Sequence, residues 1–174
     1  MPALTNVLGS PTAITLDLNQ LALSDTFLVG VQSAQVTAAA DVVDVLINVD
    51  PITAGAVAPA VGDRIQIYVY GADTSFATTA WDAIDGTAST AGTEATLTHA
   101  AVLNAMSLAV VHSATAATAN YVYYTRPFTL AQHFGGVLPD FWGIWVAQNM
   151  GGDLKSTTND TCFSYQTVTP TSSA

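Results

Sequence analysis

Alternation of apolar and polar positions dominates this chain. In residues 12–18 (TAITLDL), Ile14, Leu16 and Leu18 alternate with Thr15 and Asp17, the period of two that marks a half-buried strand. Residues 64–70 (RIQIYVY) place Ile65, Ile67 and Val69 on one face and Arg64, Gln66, Tyr68 and Tyr70 on the other, between Gly62-Asp63 and Gly71. Residues 41–49 (DVVDVLINV) are rich in β-branched side chains and stop at the turn signal Asp50-Pro51. Further strands are predicted over 27–31, 108–112, 120–128 (NYVYYTRPF), 141–148 (FWGIWVAQ) and 162–168 (CFSYQTV). These make about eight to nine short strands separated by Gly, Pro, Asn, Asp and Ser clusters, the pattern of an all-β sandwich or barrel.

Helix is scarce in this reading. Residues 76–84 and 98–105 have the Ala content for a turn or two each, but Thr and Gly interrupt them. Residues 71–98 form the longest irregular stretch, an Ala/Thr-rich surface loop with room for one short helix or an added hairpin. Residues 1–11 and 169–174 lack periodicity and are expected as extended arms on a single domain spanning 1–174. In the C-terminal half, Gly135-Gly136 permits positive φ and a chain reversal. Residues 149–153 suit a hairpin connection, with Gly151 and Gly152 supplying left-handed conformations.

Composition narrows the function. Of 174 residues, 50% are hydrophobic and 9% charged, against about 25% charged in an average soluble domain. This balance is opposite to that of a disordered chain. The basic residues are Arg64, Arg126 and Lys155; with 13 acidic residues the formal net charge is −10. Nucleic acid is excluded as a partner, because its backbone is held by Lys and Arg. Anionic membrane surfaces are disfavoured for the same reason, and no stretch reaches the roughly 18 apolar residues of a membrane span. A weakly charged surface favours association instead, since interface centres are depleted of charge. The single cysteine, Cys162, has no intramolecular disulfide partner. The N-terminus lacks the basic and apolar regions of a signal peptide, so the chain is expected to be made in a cytoplasm.

No motif specifies a reaction, a metal or a cofactor. His99, His112 and His133 stand apart from any G-x-S-x-G elbow. Cys162 sits in a strand pattern as a small hydrophobe. Asp82 and Asp85 precede Gly86, but the alternating oxygen ligands of a calcium loop are missing, and a capped turn explains them. No phosphate-binding Gly motif occurs. The candidate contact residues are aromatic. In 141–145 (FWGIW) one strand face belongs to the core; the other either exposes Trp142 as a sugar platform or subunit anchor, or is buried too. Tyr121, Tyr123 and Arg126 have the chemistry of interface hot spots if they share an exposed face. Trp81, in the long loop, is a second candidate for stacking on sugar.

The segment from Tyr121 onward resembles small structural proteins of tailed phages. The resemblance rests on a strand ending in Arg126-Pro127-Phe128, then Gly135-Gly136-Val137-Leu138-Pro139, then a strand with Trp142-Gly143-Ile144, and Asn149 before Gly151-Gly152-Asp153-Leu154. It covers mainly the last third of the chain. It implies an antiparallel, jelly-roll-like β-sandwich and a capsid decoration (cement) protein on the outer surface of the virion. Its partners would be major capsid protein subunits and further copies of itself, taken as a trimer. The alternative is a tail- or fibre-associated module that binds a host glycan; a hydrolase on a sandwich scaffold ranks third.

Overall fold

The computed structural model describes residues 4–72, 92, 94–97, 103 and 105–172. The strands in chain order are β1 (Leu4–Leu8), β2 (Thr12–Ala13), β3 (Val29–Gln32), β4 (Val36–Thr37), β5 (Asp44–Val49), β6 (Ile52–Thr53) and β7 (Arg64–Ala72). They continue with β8 (Glu94–Thr96), β9 (Ser107–Ser113), β10 (Val122–Tyr123), β11 (Phe128–Thr129), β12 (Phe141–Gln148) and β13 (Phe163–Ser172). A 3-10 turn spans Ala131–Phe134. Among the described residues strand makes up 43% and helix 4%, so the fold is all-β.

Every described pairing is antiparallel, and the strands form two sheets and a small bridge. The first sheet runs β1-β13-β5-β11, with β2 also on β13; the second runs β8-β3-β12-β7-β9, with β4 also on β12; β6 and β10 pair separately. Val45, Ile47, Val49 and Phe163 from the first sheet meet Ile65, Ile67, Val69, Trp142, Ile144 and Val146 from the second in one buried core. Each such aliphatic or aromatic burial contributes about 1.5–3 kcal/mol. The architecture is therefore the expected antiparallel sandwich. It has more strands than the sequence pattern counts, because β2, β4, β6, β10 and β11 are two residues long and too short to show a period.

The second sheet is covered on both faces. Tyr68, Tyr70, Trp145 and Ala147 form a smaller core with Leu97 and Met106, flanked by Phe27, Leu28 and Leu103. This accounts for the unbroken apolar run of β12, where every residue from Trp142 to Gln148 is buried. Gly143 makes the arrangement possible. It stands opposite Tyr70 in the β12–β7 ladder, and a Cβ built on it would fall inside the Tyr70 phenol.

Several local expectations are corrected. Residues 12–18 keep the alternating burial of Ile14, Leu16 and Leu18, but only Thr12–Ala13 joins a ladder. Residues 120–128 split into β10 and β11, which pair with different strands. Residues 149–153 do not close a hairpin: β12 lies in the second sheet and β13 in the first, so the connection changes layers. Of its two glycines only Gly151 takes a positive φ. Gly135 and Gly136 both do, at 72° and 90°, and Gly135 ends the 3-10 turn. The terminal segments are not separate arms. β1 pairs with the far end of β13, Leu4 against Ser172 through Leu8 against Val168, while β5 ends at Asp44 against Val168. The two ends of the chain thus form a two-stranded ribbon that continues the first sheet past β5. Residues 76–84 lie outside the described residues, as do most of 98–105.

Candidate interaction surfaces

The histidines and the cysteine do not assemble a reaction centre among the described residues. His112 Nε2 lies 2.7 Å from Thr125 Oγ1. His133 Nδ1 lies 3.2 Å from Ser107 Oγ, and its Nε2 lies 3.2 Å from the side-chain nitrogen of Gln132. A serine beside an imidazole is half of a nucleophilic pair, but the orienting position is filled by an amide in place of a carboxylate. Cys162 is buried; burial, then the charges of Asp50, Asp160 and Asp17, push its thiol up to about 11. It stays protonated and unreactive in the folded chain. No group of three or more His, Cys, Asp or Glu is placed to hold a metal among the described residues. His99 lies outside them.

Burial sets a pH dependence. It holds the imidazoles of His112 and His133 below the usual histidine range. The unfolded chain then binds more protons, so stability is complete above about pH 6.5 and falls as pH drops from there toward the depressed folded values. Melting temperature is expected to fall between about pH 7 and about pH 5, and less in a His112→Gln variant. A flat profile over that window would show that the imidazoles are solvated.

The aromatic candidates separate. Trp142 is 0% exposed and packs edge-on against Tyr165, with ring centroids 5.2 Å apart. It is a core residue, so the reading of Trp142 as a surface platform is corrected: covering both faces of the second sheet leaves β12 no solvent side. Tyr123 is buried as well, with its ring between Tyr121 at 5.1 Å and His112 at 5.7 Å. Tyr121 and Arg126 are exposed. Trp81 lies outside the described residues. The segment from Tyr121 to Arg126 is fastened along its length. Val122 and Tyr123 pair with β6, Thr125 holds His112, and Phe128 joins β5.

One end of the sandwich gathers an uncharged surface. Backbone hydrogen bonds tie the 54–62 loop to the 114–121 loop: Ala54 N–H to Tyr121 O at 2.9 Å, Asn120 N–H to Gly55 O at 2.8 Å, and Gly62 N–H to Ala114 O at 2.9 Å. Gly151 packs against the backbone of Ala58 and Pro59, and Gly152 against Val57. A Cβ on Gly55 would collide with the carbonyl of Asp153, which shows how closely these chains approach. The surface exposes Val57 (55%), Val61 (72%) and Tyr121 (46%), with Ala56, Ala58, Ala60, Ala116 and Ala117 around them. Neither loop carries a charge; Asp63, Arg64 and Asp153 lie just beyond. An apolar centre with a polar border is the anatomy of a protein-binding surface. Residues 53–61 show no periodicity in sequence, and their valines become a patch only when residues 114–121 come alongside.

Compared with models of known families, with curated proteins and with solved structures, the chain matches none.

Proposed function

We propose that this chain is a non-enzymatic structural protein of a tailed-phage virion, a capsid decoration protein that binds the outer face of assembled heads. The phage setting rests on the resemblance of the last third of the sequence. The mode of action rests on the uncharged loop face built from residues 54–62 and 114–121, with Val57, Val61 and Tyr121 exposed. On a chain of net charge −10, such a face is where another protein is met at least electrostatic cost. Binding buries the valines and Tyr121 against capsid subunits, and repetition over the head lattice raises avidity. The acidic remainder suits an outward position away from packaged DNA.

The test adds purified protein to undecorated heads and follows co-sedimentation and heat-induced rupture. Wild type is expected to bind and raise the rupture temperature. Val57→Asp, a solvent-facing change with little effect on folding, is expected to weaken binding by about tenfold or more. Heads that remain bare, or that bind both proteins equally well, would reject the proposal.

A further inference from the structure

The ribbon formed by the two chain ends carries information that the capsid reading does not use. Among the described residues the first sheet consists, beyond Asp44, of β1 and the end of β13 alone. Thr5 to Leu8 are exposed, with Val7 at 50% and Leu8 at 53%. Residues 4–8 (LTNVL) and 168–172 (VTPTS) hold no charged side chain.

Two hydrogen bonds fix which way the ribbon's backbone groups point. Gly9 N–H donates to Thr167 O at 2.8 Å, and Val43 N–H donates to Val168 O at 2.9 Å. Peptide groups alternate sides along a strand. Odd positions 5, 7 and 9 therefore face β13, and the N–H and C=O groups of positions 4, 6 and 8 face outward. By the same alternation residue 170 faces the side that β5 has vacated. That residue is Pro170, which has no N–H to offer, so this edge is blunted. Edge strands are commonly protected by Pro, Lys or bulges. Among the described residues the β1 edge has none of these.

The open edge is also its own complement. An antiparallel pairing about a two-fold axis at Asn6 sets position 4 opposite position 8 and position 5 opposite position 7. In residue types this is Leu with Leu, Thr with Val, and Asn with Asn. The outward groups of positions 4, 6 and 8 then meet their counterparts, and branched or apolar cross-strand pairs form on both faces. The same surface on both partners is what a two-fold interface requires. Two copies of net charge −10 repel as wholes, and this edge, like the loop face, brings no like side-chain charges together.

We infer that the β1 edge pairs with the β1 edge of a second copy of this chain, joining two first sheets into one continuous sheet. The occupant is a second copy and not an unrelated strand because the register that satisfies the outward groups also matches the side chains. The two-fold gives a dimer, in place of the trimer that the resemblance implies. The ribbon and the loop face lie at opposite ends of the first sheet, since Val49 opposes Phe163 at one end and Asp44 opposes Val168 at the other. Dimerisation thus leaves the loop face open and does not depend on what binds there.

Sedimentation velocity of the purified chain across the micromolar to millimolar range tests this. Wild type is expected at twice the monomer mass of 18.0 kDa, with association tightening as salt screens the net charge. Asn6→Pro removes one outward N–H and no bond to β13, and Asn6→Lys sets two cations face to face. Both are expected at the monomer mass, with wild-type thermal melts showing that the sandwich is intact. Val57→Asp is expected to stay dimeric. A wild type that remains monomeric throughout, an Asn6→Pro variant as dimeric as wild type, or a dimer abolished by Val57→Asp would each overturn the inference.

Discussion

Trp142→Ala is expected to lower the free energy of unfolding by about 3–5 kcal/mol, the range for emptying a buried aromatic site. In a domain whose total stability is about 5–15 kcal/mol, that is a large part of the whole. The indole is fully buried in the main core and meets Tyr165 edge-on. Its strand neighbours are Gly71 and Val36, so little nearby is free to collapse into the cavity. Its Nε1 has no hydrogen-bond partner among the described residues. That orphaned donor already costs about 1–3 kcal/mol, so Trp142→Phe, which removes the donor and keeps a ring, is expected to lose far less than the alanine variant. Urea unfolding followed by circular dichroism reads both. A sugar-platform role predicts the reverse, with stability unchanged and glycan binding lost; an Ala variant with the wild-type urea midpoint would remove Trp142 from the core.

Strands of seven or more residues were mostly legible, whereas the alternating segment 12–18 joins a ladder only at Thr12–Ala13. β12 spans the same residues, Phe141–Gln148, as the apolar run that predicts it, and β7 and β9 fall within two residues of their expected bounds. Alternation tells which residues share a face but not whether that face meets water. Gln66, Tyr68 and Tyr70 look like the solvent side of β7 until residues 94–106 supply Leu97 and Met106 to cover them. Local turn chemistry is blind in the same way. Asn149-Met150-Gly151-Gly152 permits a hairpin equally well, and the layer change goes with a buried polar anchor just before it that reaches a carbonyl far away in sequence. Gln148, 0% exposed, donates to Leu21 O and Gly152 O and accepts from Met150 N–H.

The interaction surfaces were legible in pieces. Tyr121 and Arg126 are exposed as their composition suggests, whereas Tyr123 is drawn under them by β10 pairing with β6. The loop face carried no signal of its own, since Ala-Gly-Ala-Val-Ala-Pro-Ala-Val reads as an ordinary connection. The terminal ribbon hid for a related reason. Five residues of mixed Leu, Thr, Asn and Val show too few alternations to register as a strand, and only pairing between the two ends of the chain makes them one.

Asn159→Ala is expected to cost about 3–5 kcal/mol through hydrogen bonds in place of volume. The Asn159 side chain is fully buried. Its Oδ1 accepts from Thr53 N–H at 2.9 Å, and its Nδ2 donates to Thr53 O at 2.9 Å and Lys155 O at 3.2 Å. Truncation strands the Thr53 N–H away from water and leaves Thr53 O with only the Lys155 N–H, at 3.3 Å. Asn159→Asp keeps the acceptor but loses the donor and buries a charge. A carboxyl with a folded pKa raised above its unfolded value contributes fully below the unfolded value and loses that contribution as pH rises. The Asp variant is therefore expected to regain stability on acidification, unlike the Ala variant. Cys162 reports the local event: its thiol is protected in wild type, and alkylation is expected to quicken roughly tenfold for each 1.4 kcal/mol lost from the opening equilibrium. Unchanged alkylation and an unchanged melt would show that Asn159 anchors nothing. Thr53, the residue it grips, stands one position before the 54–62 loop and pairs with Val122 beside Tyr121. Asn159 therefore supports the loop face from beneath, together with Lys155 N–H, which bonds Thr53 O at 3.3 Å, and Asn159→Ala is expected to weaken the head binding proposed above without altering Val57, Val61 or Tyr121.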